Sequence, residues 1–204
     1  MIADARPGAP PTHAWWSADQ DQVGALVHGY DSLWLPVSLL RPEQQARLAD
    51  ALVACSRHWQ VELHFNKGLA GAPPEARSAA RDTATNPAVI NAFALAIVAN
   101  GRPPAYPGLP GAAPDLARAR QDAAAVKAAM APLQALAPGG GAYVSESNYF
   151  DRDWQRSFWG KHYARLRAVK DKYDRDGLFF VHHGVGSEDW SDDGFTRRQR
   201  SAHR

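Results

Sequence analysis

Apolar positions alternate along some stretches of the chain and recur at helical spacing along others, and the two patterns divide it. Alternation comes first, at VGALVHGY (23–30) and SLWLP (32–36). Val23, Ala25 and Val27 share one side there with His28 opposite, which predicts two short paired strands joined by a turn at Gly29-Tyr30-Asp31. Helical spacing follows from Leu39 to Trp59, with Pro42 in the first turn and Leu48, Leu52, Val53, Cys55 and Trp59 as the buried stripe. VELHFN (61–66) alternates again. Val61, Leu63 and Phe65 point one way, and Glu62, His64 and Asn66 the other. The apolar set belongs against helices. The polar set faces either water or whatever lies across the sheet.

Beyond a loop at 67–74, a short helix is predicted near Glu75–Asp82. Asn86-Pro87 supplies a cap and a first-turn proline for a helix through about Val98, ended by Asn100-Gly101. The proline- and glycine-rich stretch 101–114 reads as a surface loop packed by Tyr106 and Leu109. Asp115 to Leu136 is an alanine-rich helix with Leu116, Val126, Met130 and Leu133 on its inner face, and AYVSESNYF (142–150) a strand running into a turn. A long amphipathic helix then begins at a cap on Asp151 or Asp153. It buries Phe158, Trp159, Tyr163, Leu166, Val169 and Tyr173 and stops at Asp-Arg-Asp-Gly (174–177), before a short strand LFFV. Strands interleaved with helices in this order define an α+β class, an antiparallel sheet covered by helices on one face with a C-terminal helix–strand segment.

Composition narrows the function only by exclusion. The 204 residues carry a formal net charge of +2, which gives no electrostatic reason for a nucleic-acid partner. The single cysteine, Cys55, sits mid-helix as a buried inert thiol and excludes an internal disulfide. No apolar run is long enough to span a bilayer, and MIADARPGAPPTH lacks the basic start and apolar core of a signal peptide, so the location is left as cytoplasmic or unknown. There is no glycine-rich phosphate loop, nucleophile elbow or zinc motif. His182 and His183 are adjacent, and on a strand they would point to opposite faces, so no metal site is expected.

Residues 143–195 are more specific. They run Tyr143-Val-Ser-Glu146-Ser-Asn148, then Trp154 through Phe158-Trp159-Gly160-Lys-His162-Tyr163-Ala-Arg165-Leu166 to Val169-Lys170-Asp-Lys172-Tyr173-Asp174, and end in an apolar stretch. This resembles the C-terminal segment of berberine-bridge-enzyme-like FAD-linked oxidases of the vanillyl-alcohol oxidase / p-cresol methylhydroxylase class. Their pattern is a tyrosine-led strand followed by W-x-x-x-F-W/F-G-x-N-Y-x-R-L-x-x-V-K-x-K-Y-D-P. The resemblance extends over roughly Trp16 to Phe195 and is sharpest here and at VELHFNKGLAGA. It departs at Ser145 (asparagine in the family), Asn148 (aspartate), His162 (asparagine) and Arg175 (proline).

The resemblance implies a substrate domain over 15–141 and a berberine-like segment over 142–195, between a disordered leader (1–14) and a basic tail (196–204), with the family's N-terminal FAD-binding domain not represented. It implies an FAD-dependent oxidoreductase that oxidises an alcohol or sugar hydroxyl by hydride transfer to flavin and needs that domain, which a separate polypeptide or self-association could supply. It also turns the polar side of VELHFN into an active-site face. Glu62 is then the candidate base, oriented by His64, because removal of a carbinol hydride requires the hydroxyl proton to leave as well. Asn66, Tyr30 and Trp34 are candidate substrate contacts, and Tyr143, Glu146, Asn148 and His162 candidate flavin contacts. The alternative is a non-catalytic module that binds a protein partner or a small polar ligand through the same face.

Overall fold

The computed structural model describes residues 2–3, 5, 7–15, 26–65, 69, 71–102, 105–108, 110 and 113–198. Two short strands, β1 (Ile2–Ala3) and β2 (Ala14–Trp15), pair antiparallel within the stretch expected to be disordered. The main sheet has three antiparallel strands in the order β3 (Leu26–Pro36), β5 (Ala92–Arg102), β4 (Glu62–Phe65). Helices α1 (Pro42–Ser56) and α3 (Leu116–Leu136) pack together across one face of it. The expected α+β architecture is therefore the observed one.

The central strand is the main departure from the sequence pattern. The helix expected from Pro87 to Val98 is instead a 3-10 turn over Pro87–Asn91 followed by β5. Residues Ala92 to Val98 are all buried, so this stretch has no polar face by which a helical and an extended period could be told apart. Asn86 does cap the 3-10 turn, accepting from the Ala88 N–H at 3.0 Å. Asn100-Gly101 does not end an element; β5 runs on to Arg102.

The two strands expected at 23–30 and 32–36 are one, β3, because Gly29-Tyr30-Asp31 is extended and paired to β5 rather than turned. Residues 23–25 lie outside the described set. The register shifts near the end of β3, between Leu35 and Pro36, and also earlier, at a bulge between Val27 and Gly29. Gly29 is needed at that point: a Cβ there would sit 3.2 Å from the Ala123 Cα and the Val126 Cβ, so the missing side chain lets α3 lie close on the strand.

Leu33, Leu35, Ala94, Ala96 and Val98 form the helix-covered face with Leu48, Cys55, Val126, Met130 and Leu133. Fully buried side chains such as Leu35 and Met130 each contribute roughly 2 kcal/mol through lost contact with water. Val53 and Leu116, expected on inner stripes, are exposed. The end of the core is closed by ions. Asp122 of α3, 1% exposed, takes two hydrogen bonds from Arg102 (2.9 and 3.0 Å), an ion pair from Arg118 at 3.0 Å and a contact from His28 Nδ1 at 3.0 Å. Arg102 above all holds its carboxyl well below the usual range. These contacts tie α3 to the ends of β3 and β5.

The C-terminal segment departs from its expected form throughout. Residues 142–150 are irregular, with one isolated bridge between Tyr143 and Glu146. The single long helix is two, α4 (Trp154–Trp159) and α5 (Tyr163–Tyr173), separated at Gly160 with φ +52°. Helical φ is negative, so the helix breaks there. Asp153 does not cap α4, since its carboxylate binds Arg156 instead. Phe158 is buried, yet α5 buries no residue fully, and Val169 and Tyr173 are exposed. LFFV forms no strand, and Leu178, Phe179 and Val181 face outward.

Candidate functional site

Strand register assembles the face of the sheet away from α1 and α3. Leu63 and Phe65 share the helix side with Ala96 and Ala94, their partners in β5. Glu62, opposite Ile97, and His64, opposite Leu95, therefore stand on the other side. β3 places Ser32 against Ile97 and Trp34 against Leu95 from the opposite edge. Two rows result: Glu62, Ile97 and Ser32; then His64, Leu95 and Trp34. Leu95 and Ile97 are the buried apolar floor, and polar or aromatic groups rise on both edges. Tyr30 lies on the same face two residues before Ser32.

The polar groups are linked in pairs. His64 Nε2 and Glu62 Oε1 are 2.6 Å apart, at about half exposure. The Tyr30 hydroxyl lies beside the Glu146 carboxylate. Burial, then the negative charge and hydrogen bond of Glu146, then the charge of Glu62, push that hydroxyl up to about 12. The loop carrying Glu146 is fixed to the outer edge of β3. Trp34 N–H donates to the Gly141 carbonyl at 3.1 Å, and Tyr143 N–H to Ser32 Oγ at 3.1 Å. The Tyr143 ring meets the Trp34 ring edge-on with centroids 6.4 Å apart. Trp34 Nε1 is buried without a partner beside a mostly apolar cavity of about 260 Å³, which Tyr143, Phe158 and Trp159 also line.

Of the residues singled out in the sequence, Glu62, His64, Tyr30, Trp34, Tyr143 and Glu146 are thus brought to one face. Asn148 is not among them. Its side chain accepts from the Phe150 N–H at 2.9 Å, and it lines a groove of about 940 Å³ between the first half of β3, α3 and residues 147–152. His162 lines a separate pocket with Arg81 and Lys161. Asn66 lies outside the described residues.

Three features have no forerunner in the sequence reading. Asp31 is buried beside α3, where Gln134 donates to it at 3.1 Å; burial raises its carboxyl to about 6 despite that bond. Only the i,i+4 contact of Arg118 in the Asp122 network is local; His28 and Arg102 are 94 and 20 residues away. His182 and His183, expected on opposite faces of a strand, stack on each other at 3.8 Å. Tyr149 lies 3.9 Å beyond His182 and Trp154 5.3 Å beyond His183, so four rings form one column. His183 has φ +58°, and that left-handed backbone puts both imidazoles on the same side.

The sheet face thus sets an apolar floor between a carboxylate–imidazole pair on one edge and an aromatic side chain on the other. Comparison with known proteins makes this particular. Residues 130–186 match the family described as "Berberine and berberine like". The chain is 36% identical over 151 residues to the FAD-linked oxidoreductase cheF of Chaetomium globosum, covering 73% of this chain and 22% of that protein. It is 42% identical over 83 residues to the VAO-type flavoprotein oxidase VAO615 of Thermothelomyces thermophilus, covering 41% and 14%. The crystal structure of the VAO-type flavoprotein MtVAO615 from Myceliophthora thermophila superimposes with a TM-score of 0.60 at 29% identity, over 80% of this chain and 28% of that one. The protein is related to the VAO-type, FAD-linked oxidoreductases and carries their berberine-like segment. It spans 14% to 22% of the length of these two curated relatives.

Proposed function

We propose that the chain is the substrate-facing portion of an FAD-dependent oxidoreductase that oxidises an alcohol or sugar hydroxyl, with residues 15–141 as its substrate domain and 142–195 as the segment closing over the cofactor. The observation that carries this reading is the convergence of Glu62–His64 and Tyr30–Glu146 on one apolar-floored sheet face. The residues fit a flavin in kind. Trp34 and Tyr143 line a mostly apolar cavity, and the buried, unpartnered Trp34 Nε1 offers a hydrogen-bond donor that a ring carbonyl or nitrogen would satisfy. Tyr143 and Glu146 are the residues of the segment that would hold it there, whereas His162 lines a separate pocket. Bound FAD supplies the two-electron acceptor.

The chain's own part is binding and proton handling. Glu62 takes the hydroxyl proton of the substrate, and His64, 2.6 Å away, fixes its orientation. Tyr30 stays protonated near neutral pH because its hydroxyl is raised to about 12, so it serves as a donor to Glu146 or to substrate oxygen and not as a second base. The floor of Leu95 and Ile97 keeps water from the inner side of the substrate.

Visible absorption after addition of excess FAD and desalting tests the reading. With an FAD-binding domain supplied as a separate polypeptide, a retained flavin band is expected, with Glu62→Gln keeping the band and losing substrate-dependent bleaching by about a hundredfold, the usual order for removal of a general base. Equal bleaching by wild type and variant would sink the role of Glu62. One observation favours a second reading. The Glu62–His64 pair is half exposed, which suits a non-catalytic module gripping a protein partner or small polar ligand through this face. A colourless protein would favour it.

A further inference from the structure

A second pocket collects cationic donors away from Glu62–His64. It has a volume of about 310 Å³ and is lined by Arg81, Pro87, Ile90, Asn91, Lys161 and His162. It lies between the end of α2 (Pro74–Ala80), the 3-10 turn Pro87–Asn91 and the short turn Gly160–His162 that separates α4 from α5. Among the described residues no acidic side chain lines it. The nearby carboxylate, Asp82, is bound by Arg165, and that contact is the largest cause holding its carboxyl below the usual range. Among the described residues no carboxylate pairs with Arg81 or Lys161.

Two buried nitrogens in this region lack partners. His162 Nδ1 is one. The other is Nε of Arg77, whose Nη2 donates to Asn91 Oδ1 at 2.6 Å. An unsatisfied buried N–H of a guanidinium is costly, and native structures rarely leave one so. Because the Asn91 carbonyl is already engaged by Arg77, its amide N–H groups are left as donors. The pocket wall therefore offers a guanidinium, an ammonium, an imidazole and an amide from several directions, and the nearby carboxylate, Asp82, is bound by Arg165 while its charge also reaches His162. That set suits a multi-oxygen anion. The volume exceeds what a single oxyanion fills, and the surplus is bounded by the apolar Pro87 and Ile90.

We propose that this pocket binds a phosphate-class oxyanion, either free phosphate or the phosphate group of a small phosphorylated ligand whose remainder lies against Pro87 and Ile90. Arg81 and Lys161 supply the charge, His162 donates from Nδ1, and Asn91 donates from its amide. The site does not depend on flavin chemistry at the sheet face, so its test runs without turnover.

The imidazole resonances of His162 are followed by NMR while inorganic phosphate, FMN or riboflavin is added to the whole chain at matched ionic strength. Saturable shifts are expected with phosphate and FMN, and none with riboflavin. FMN binding tighter than phosphate identifies a phosphorylated ligand; equal affinity identifies the free oxyanion. Arg81→Gln and Lys161→Gln, both on exposed side chains, should each weaken binding about tenfold, as expected for loss of one charge-assisted hydrogen bond, without moving the thermal midpoint. Shifts reproduced by chloride, equal shifts with riboflavin, or undiminished affinity in Arg81→Gln would each overturn the proposal. Loss of FAD binding with phosphate binding intact would count against the flavin reading alone.

Discussion

Residues 26–137 and residues 142–198 are held together by different means. The first region has a continuous apolar core, with β3 and β5 sealed under α1 and α3 and side chains such as Leu35, Met130 and Leu133 wholly enclosed. Among the described residues the second encloses three apolar side chains, Ala142, Trp154 and Phe158, and relies on polar clasps. Arg167 reaches Asp171, Glu188 and Asp189; Tyr163 donates to Glu188; and Asp174 collects Lys170 and the N–H groups of Leu178 and Phe179. Yet most of the family match, residues 130–186, falls on the second region. Resemblance to relatives and burial within this chain therefore track different things. The core is specified by apolar pattern, which many sequences satisfy. The segment is specified by particular side chains at particular places, as a surface meant to meet another body would be.

The largest effect expected from this contrast is in the core. Met130→Ala removes a fully enclosed side chain between the sheet and α1. It should destabilise the chain by about 3 kcal/mol, the middle of the range for such truncations, measured by denaturant unfolding. If the unfolding midpoint scarcely moves, the first region is not the stability-determining half, and the comparison fails.

Asp31 sharpens the same point, since it is a polar group inside the better-packed region. Its carboxyl is raised to about 6 by burial, with the charge of Asp151 adding to the effect and the Gln134 hydrogen bond opposing it. A raised acid favours the protonated folded state. Its contribution is complete below the unfolded value near 4, is lost as pH rises to about 6, and is absent above that. Asp31→Asn keeps an acceptor for Gln134 and removes the charge. It should stabilise the chain by about 2 kcal/mol at pH 8 and by little at pH 4. Thermal midpoints of both proteins across that interval check it, and parallel profiles would show that Asp31 does not titrate in the window.

How much of this was legible in the sequence depends on whether a local pattern had one reading. VELHFN alternates cleanly, so the placing of Glu62 and His64 on one face and Leu63 and Phe65 on the other followed from a period of two. Ala92 to Val98 is apolar at every step, and only its position between two other strands makes it extended. The apolar spacing runs unbroken across Gly160, so the pattern alone reads as one helix where the structure has two. Tyr30 and Glu146 meet across more than a hundred residues. No local signal announces such a pair. Adjacent residues face opposite ways only on a strand, and the left-handed backbone at His183 lets His182 and His183 stack instead.

The smallest effect on stability is expected where exposed apolar area is largest. Leu178, at 81% exposure, and Phe179, at 76%, lie in a stretch whose backbone is fastened without them. Asp174 accepts from both of their N–H groups, and Lys170 donates to the Phe179 carbonyl at 2.5 Å. Replacing both side chains by serine should leave unfolding within about 0.5 kcal/mol of wild type, as for ordinary surface changes. Association should respond instead. Phe150, Tyr173, Val181 and Phe195 are exposed as well, and apolar surface on this scale marks an interaction site. Sedimentation at tens of micromolar should show the wild-type chain self-associating and the doubly substituted chain largely monomeric. A monomeric wild type would mean that these side chains tolerate water in the isolated chain, and the outward-facing segment would then have no partner in a second copy.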